Sequence, residues 1–261
     1  MLKTVLILVG ALIFTDTVFA KNVDELAKDF ASPHSRLDRF PIQITNNYRV
    51  GPLENGSVLE MAFRPHLSLD MGTDWNLVSR SFLPVLYHEK AFPSSDYEFG
   101  LGDLVQTFLL TPAKPNSQWS WAAGAAFEAP TATDTFLGAG KWAAGPAVSV
   151  AYEEFQYTFG ILAHYLWSFA GEEDRSDISL ASIQPFYNYR FGDGRAVNLM
   201  FESVYNGEQE EWTHPAILSY SHIFSYSQTD AAELGAGFKY LVSGPEEASE
   251  WGFRVQFSFI F

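Results

Sequence analysis

Hydrophobic and polar residues alternate with a period of two along most of this chain, the spacing of a β-strand with two unlike faces. The clearest run is the last. Trp251, Phe253, Val255, Phe257, Phe259 and Phe261 stand on one face, opposite Gly252, Arg254, Gln256, Ser258 and Ile260. One heavy aromatic face ending in a terminal Phe suits a lipid-facing wall, with Arg254 and Gln256 turned to a wet interior. Phe257, Phe259 and Phe261 resemble the C-terminal signal by which Gram-negative barrel-assembly machinery recognises its clients. A sandwich or soluble barrel is the competing reading, since its strands alternate too.

Other segments repeat the pattern. Leu59, Met61, Phe63, Pro65, Leu67 and Leu69 oppose Glu60, Arg64, His66 and Ser68. Phe155 to Phe169 alternates against Gln156, Thr158, His164 and Ser168, Ile183 to Phe191 against Gln184, Asn188 and Arg190, and Leu234 to Val242 against Glu233 and Lys239. From residue 38 to 261 the chain reads as about twelve strands, each long enough to cross an outer membrane when tilted. The predicted fold is all-β: a transmembrane antiparallel up-and-down barrel preceded by a short N-terminal helix.

Charge placement sharpens this. The charged positions inside the strand frames are Glu60, Arg64, Arg80, Glu98, Asp103, Glu128, Lys141, Arg190, Glu202, Glu233, Lys239 and Arg254. All but Asp103 fall on the less apolar face. A basic residue on the lipid face near the midplane costs about 2–4 kcal/mol. Gly100 and Gly102 around Leu101 allow a bulge that returns Asp103 to the interior. The predicted connectors alternate between short turns (Asp70–Asp74, Thr111–Ser117, Glu153-Glu154, Gly192–Gly194, Ser227–Asp230) and longer loops (His88–Ser95, Pro130–Gly140, Gly171–Asp177, Asn206–Thr213, Ser243–Glu250). Three of the longer loops are strongly acidic. Solvated, repulsive loops explain that acidity, and divalent-cation binding is the alternative.

The two ends of the N-terminal stretch differ. Residues 1–20 carry Lys3, an apolar run from Val5 to Phe14 and a small residue at Ala20, the pattern of a secretory signal peptide. Residues 21–37 place Val23, Leu26, Ala27 and Phe30 at helical spacing, ended by Pro33. That helix either covers the periplasmic base of the barrel or is a loosely docked tail.

Composition closes off other classes. The chain has 261 residues, 16 Lys+Arg, 31 Asp+Glu, 16% aromatics and no cysteine. A net charge of −15 argues against nucleic acid. No thiol chemistry or disulfide is available, and no cofactor or metal motif is present: the histidines lack ligand spacing, and Gly138-Ala139-Gly140-Lys141 continues into Trp142 where a phosphate loop needs Ser or Thr. An outer-membrane lipid hydrolase would need a Ser–His pair held by a third group. His66 with Ser68, and Ser221 with His222, are the candidates, and the first pair points into the lumen. The lumen residues Glu60, Arg64, His66, Arg80, Glu98, Glu128, His164, Arg190, Glu202, Glu233, Lys239 and Arg254 are the better site candidates. They would line a selective pore, or neutralise one another in a closed barrel.

At Asp74–Arg80, Phe99–Asp103, Pro130–Thr133, Gly140–Pro146 and Leu166–Ser168 the sequence resembles the bacterial outer-membrane "neuromedin U-like" transporter family, grouped with barrels of the phenol meta-cleavage pathway type. The likeness spans Leu26 to Phe261. It implies an outer-membrane barrel passing small solutes of hydrophobic or aromatic character, with outer-membrane lipid and the assembly machinery as partners, no enzymatic activity and no defined ligand residues. The alternatives are a closed structural or adhesive barrel with acidic external loops, and the lipid hydrolase.

Overall fold

A computed structural model describes residues 22–92, 95–115, 117–227 and 230–261, with the side chains of 92 and 95 excepted. The proposed signal peptide lies outside the described residues. One helix, α1 (Val23–Ala31), precedes fifteen strand segments: β1 (Arg39–Val50), β2 (Gly56–Phe63), β3 (His66–Asp70), β4 (Trp75–Phe92), β5 (Ser95–Leu101), β6 (Leu104–Pro112), β7 (Trp119–Ala129), β8 (Lys141–Glu153), β9 (Tyr157–Gly171), β10 (Ser179–Gly192), β11 (Arg195–Phe201), β12 (Ser203–Asn206), β13 (Glu211–Ser225), β14 (Ala231–Ser243) and β15 (Trp251–Ile260). Three pairs, β2/β3, β5/β6 and β11/β12, are single spans interrupted by a local break. The segments therefore make twelve spans in one antiparallel sheet.

The sheet closes on itself. β1 pairs with β15 from Arg39↔Ile260 to Tyr48↔Trp251, and Tyr48 stacks on Trp251 with ring centroids 4.5 Å apart. Closure leaves no open edge, which a strand in hydrocarbon requires. Twelve strands sit between the eight that side chains can fill and the sixteen that leave a channel.

The alternation sorts the two surfaces as the sequence predicts. Exposed aromatics form two belts. Trp75, Trp119, Trp121 and Phe191 lie at the short-turn end, while Tyr97, Trp142, Trp167 and Tyr240 lie at the other, with Leu110, Val150, Leu218 and Val255 also exposed. A polar group on this face is satisfied locally: Gln106 accepts from the Ser81 hydroxyl (2.5 Å) and donates to that of Ser79 (3.0 Å). The Gly192-Asp193-Gly194 turn runs through three positive φ angles (89°, 54° and 71°), the mirror-image geometry that matches strand twist. The predicted long loop His88–Ser95 is corrected. β4 stays a strand to Phe92 and β5 starts at Ser95, because Lys90 at φ 52° takes up an irregularity within the ladder.

The β5/β6 break falls at Gly102-Asp103, within the bulge region expected from the glycines. There the 130–140 loop substitutes for a strand. Thr133 Oγ1 accepts from the Leu101 amide and Thr131 Oγ1 from that of Leu104, while the Asp103 carboxylate accepts from the amides of Ala132 (3.0 Å) and Ala139 (2.6 Å). Arg175 straps the same loop through the carbonyls of Thr135, Gly138 and Ala139.

Candidate functional site in the barrel lumen

The interior holds a cavity of about 700 Å³. Ten of the twelve lumen residues proposed from sequence line it: Glu60, Arg64, His66, Arg80, Glu128, His164, Glu202, Glu233, Lys239 and Arg254. Glu98 stands across from His88 in the β4–β5 ladder, away from the cavity. Arg190 is buried at the short-turn end, where it donates to the carbonyls of Phe155 and Glu154 and to Thr158 and Asn188 side chains. It fastens strands rather than facing a solute.

Charge concentrates on one side of this cavity. Glu202, in the break between β11 and β12, receives both terminal nitrogens of Arg254 at 2.9 and 3.0 Å. Arg64 approaches the same carboxylate at 3.7 Å and lies over the Phe82 ring at 4.6 Å. Arg254 also donates to Thr45, and Lys239 to Asn47 at 2.8 Å. Glu233 accepts from Gln256 and Ser258. These groups sit on β1, β2 and β11 to β15, where the inward positions of Arg39, Gln43, Thr45 and Asn47 are also polar. A fork-to-fork Arg–carboxylate pair is the geometry that best offsets the cost of taking both charges out of bulk water.

The opposite side is dominated by small and aliphatic groups, with Thr107, Glu128 and His164 among them at the cavity. Val78, Leu109, Ala122, Ala126, Ala143, Ala147 and Leu166 form one buried cluster, joined at its upper rim by Ile178 and flanked by Leu162 and Leu180.

The residues before β1 form the floor. Phe30, Ala31 and Pro33 line the cavity from below. On one side, Leu26 and Ala27 pack with Leu37, Ile223, Ala231 and Ile260 in an apolar nest, and Asp24 accepts from the Gly194 amide at 2.8 Å. On the other, the Ser32 and Ser120 hydroxyls both donate to Glu153 Oε1, at 2.7 and 2.6 Å. Because the Ser120 proton goes to Glu153, His34 Nδ1 donates to Ser120 Oγ at 2.8 Å, and His34 Nε2 is left buried without a partner. Burial, then the charge of Arg80, lowers the His34 pKa to about 4. Asp38 accepts from the Ser68 amide and its carbonyl from the Phe261 amide, tying the segment to both ends of the chain.

Neither sequence-proposed Ser–His pair is assembled for hydrolysis. His66 Nε2 donates to the Ser35 carbonyl and its Nδ1 faces Arg39, and the Ser68 hydroxyl is buried without a partner. Ser221 is buried in the lumen while His222 is exposed. Two Ser–His contacts were not legible in the sequence. In His34–Ser120–Glu153 the serine gives its proton to the acid, so the imidazole is not its base. Ser203–His214 (3.0 Å) faces outward with His214 stacked on Trp212, and no carboxylate holds its other nitrogen among the described residues. A nucleophile needs an oriented base, and neither contact supplies one. No cluster of His, Cys, Asp and Glu among the described residues is set to hold a metal.

No family model and no curated protein matches the chain. Solved structures do. An outer-membrane channel from Pseudomonas putida F1 superposes with a TM-score of 0.67 at 12% identity, over 89% of this chain and 97% of that one. The NanC porin gives 0.52 at 11% identity, covering 84% and 98%. The calcium-bound outer-membrane phospholipase dimer of Salmonella typhi gives 0.51 at 10% identity, covering 90% and 96%. At these identities the likeness is one of fold. The chain folds as a closed β-barrel of the architecture that these outer-membrane channels and porins share.

Proposed function

We propose that this barrel is a passive channel of the Gram-negative outer membrane for small solutes, with the short-turn end and its N-terminal floor on the periplasmic side. The observation that carries the reading is the two-sided cavity. It has a charge-paired wall, an aliphatic wall and a volume within the roughly 300–1,000 Å³ of small-molecule sites. A purely polar lumen would suit ions and sugars. An aliphatic wall favours solutes with a hydrophobic or aromatic body, as the resemblance to the "neuromedin U-like" family also implies. The floor segment sets the width of the periplasmic exit.

The test is planar-bilayer recording alongside liposome swelling with phenols, sugars and amino acids. The full chain is expected to give small conductance steps and to swell liposomes faster in phenols than in sugars of similar size. Silence in both assays, for the full chain and for a variant with residues 22–35 deleted, would leave the closed structural barrel as the better account.

A further inference from the structure

One lumen cation has no counterpart. Arg80 lines the cavity, and among the described residues its guanidinium makes no hydrogen bond and no ion pair. The other cavity cations are engaged: Arg254 and Arg64 by Glu202, Lys239 by Asn47, Arg39 by the Phe30 ring at 4.7 Å. Those within electrostatic reach of Arg80 are Arg39, Arg64, His34, His66 and His164, with no carboxylate among them. Five cations against four carboxylates line the cavity, and Arg80 is the odd one. Among the described residues Glu60, Glu128 and Glu233 also make no salt bridge, but none faces Arg80: Glu60 neighbours Arg64, Lys239 and Arg254, Glu233 neighbours Arg39, and Glu128 neighbours Asp103.

Arg80 is half-buried, and a guanidinium withdrawn from bulk water inside a barrel is costly unless an anion faces it. Its planar fork matches a carboxylate. Leu162, Leu166 and Leu180 offer an aliphatic surface in the same cavity. We propose that Arg80 anchors a binding site for a small amphiphilic monoanion, its carboxylate on the guanidinium and its apolar body along the leucine side. This deepens the channel reading by naming a solute class, yet it concerns binding and can be tested without transport.

Equilibrium dialysis of the purified barrel in detergent, with radiolabelled benzoate and benzyl alcohol as probes, decides it. Benzoate is expected to bind more tightly than the isosteric alcohol. Arg80→Gln should weaken benzoate about tenfold or more, the worth of one charge-assisted pair, while leaving the alcohol unchanged. Arg80→Lys, which keeps the charge and loses the fork, should fall between. Heat-modifiable gel mobility reports folding of each variant, and the acid–alcohol comparison stands even if Arg80→Gln fails to fold. Equal binding of acid and alcohol, unchanged benzoate affinity in a folded Arg80→Gln barrel, or equally effective displacement by chloride at matched concentration would each overturn the proposal. Arg80-dependent benzoate binding in a barrel that carries no current would sink the channel reading and leave the site standing. Current without Arg80-dependent binding would do the reverse.

Discussion

The two walls of the lumen share one architecture and solve its interior differently. On β1, β2 and β11 to β15 many inward positions are long and charged, and each cation there is engaged by a neighbour, whereas the unmatched Arg80 stands on β4. On β6 to β9 alanine and leucine dominate, with Thr107, Glu128 and His164 as the polar exceptions at the cavity. The first wall consumes space and fixes geometry, whereas the second leaves room. The floor that joins them docks in two ways. Against the charged half it uses an apolar nest around Leu26 together with hydrogen bonds from Gly194, His66 and Ser68, and against the aliphatic half it uses hydrogen bonds alone, to Ser120 and Glu153.

The largest effect should come from breaking the charged wall. Glu202→Ala leaves Arg254 and Arg64 facing each other in a desolvated site. It is expected to destabilise the barrel by about 3–5 kcal/mol in urea titrations of vesicle-inserted protein. The double change Glu202→Leu with Arg254→Met should recover most of that. A single variant as stable as the parent would mean that the two walls do not differ in this way. Overfilling the other wall should cost less. Ala126→Leu inserts volume where the side chain is fully buried, with an expected penalty of about 1–3 kcal/mol and a smaller unitary current.

The floor is the place to separate the two docking modes. Well above pH 6.5, His34 is neutral whether docked or free. As pH falls, the free segment binds a proton before the docked one does, because the docked pKa is about 4. Docking therefore weakens by about 2 kcal/mol at pH 5 relative to pH 7. Amide exchange of residues 23–31 at the two pH values, corrected for intrinsic rates, would check it. Exchange that does not quicken at pH 5, or that quickens equally in His34→Gln, would remove the hydrogen-bonded side from the comparison. The smallest effect is expected outside the lumen. The exposed Arg195–Asp193 pair (2.7 Å) should contribute no more than about 0.5 kcal/mol, so Asp193→Asn serves as the baseline variant.

Much of the barrel was legible in the chain because a strand prints its two faces as odd and even positions. The terminal strand, the inward set of Glu60, Arg64, Glu202, Lys239 and Arg254, and the bulge near Gly102 all follow from that rule. The partition into two walls does not. Arg254 meets Thr45 across 209 positions and His34 meets Ser120 across 86, distances at which alternation says nothing about who faces whom. The short β4–β5 connection escaped because the polar run from His88 to Lys90 imitates a loop, although His88 and Glu89 remain paired. The unmatched state of Arg80 could not be seen until every neighbouring charge had been assigned.

The pairing of the first strand with the last has a consequence for biogenesis. The wall cannot be sealed until β15 meets β1, so a chain lacking either carries two raw hydrogen-bonding margins. The bed for α1 includes Ile260, so the helix has nowhere to settle before sealing. The cylinder is therefore closed before its base can be laid.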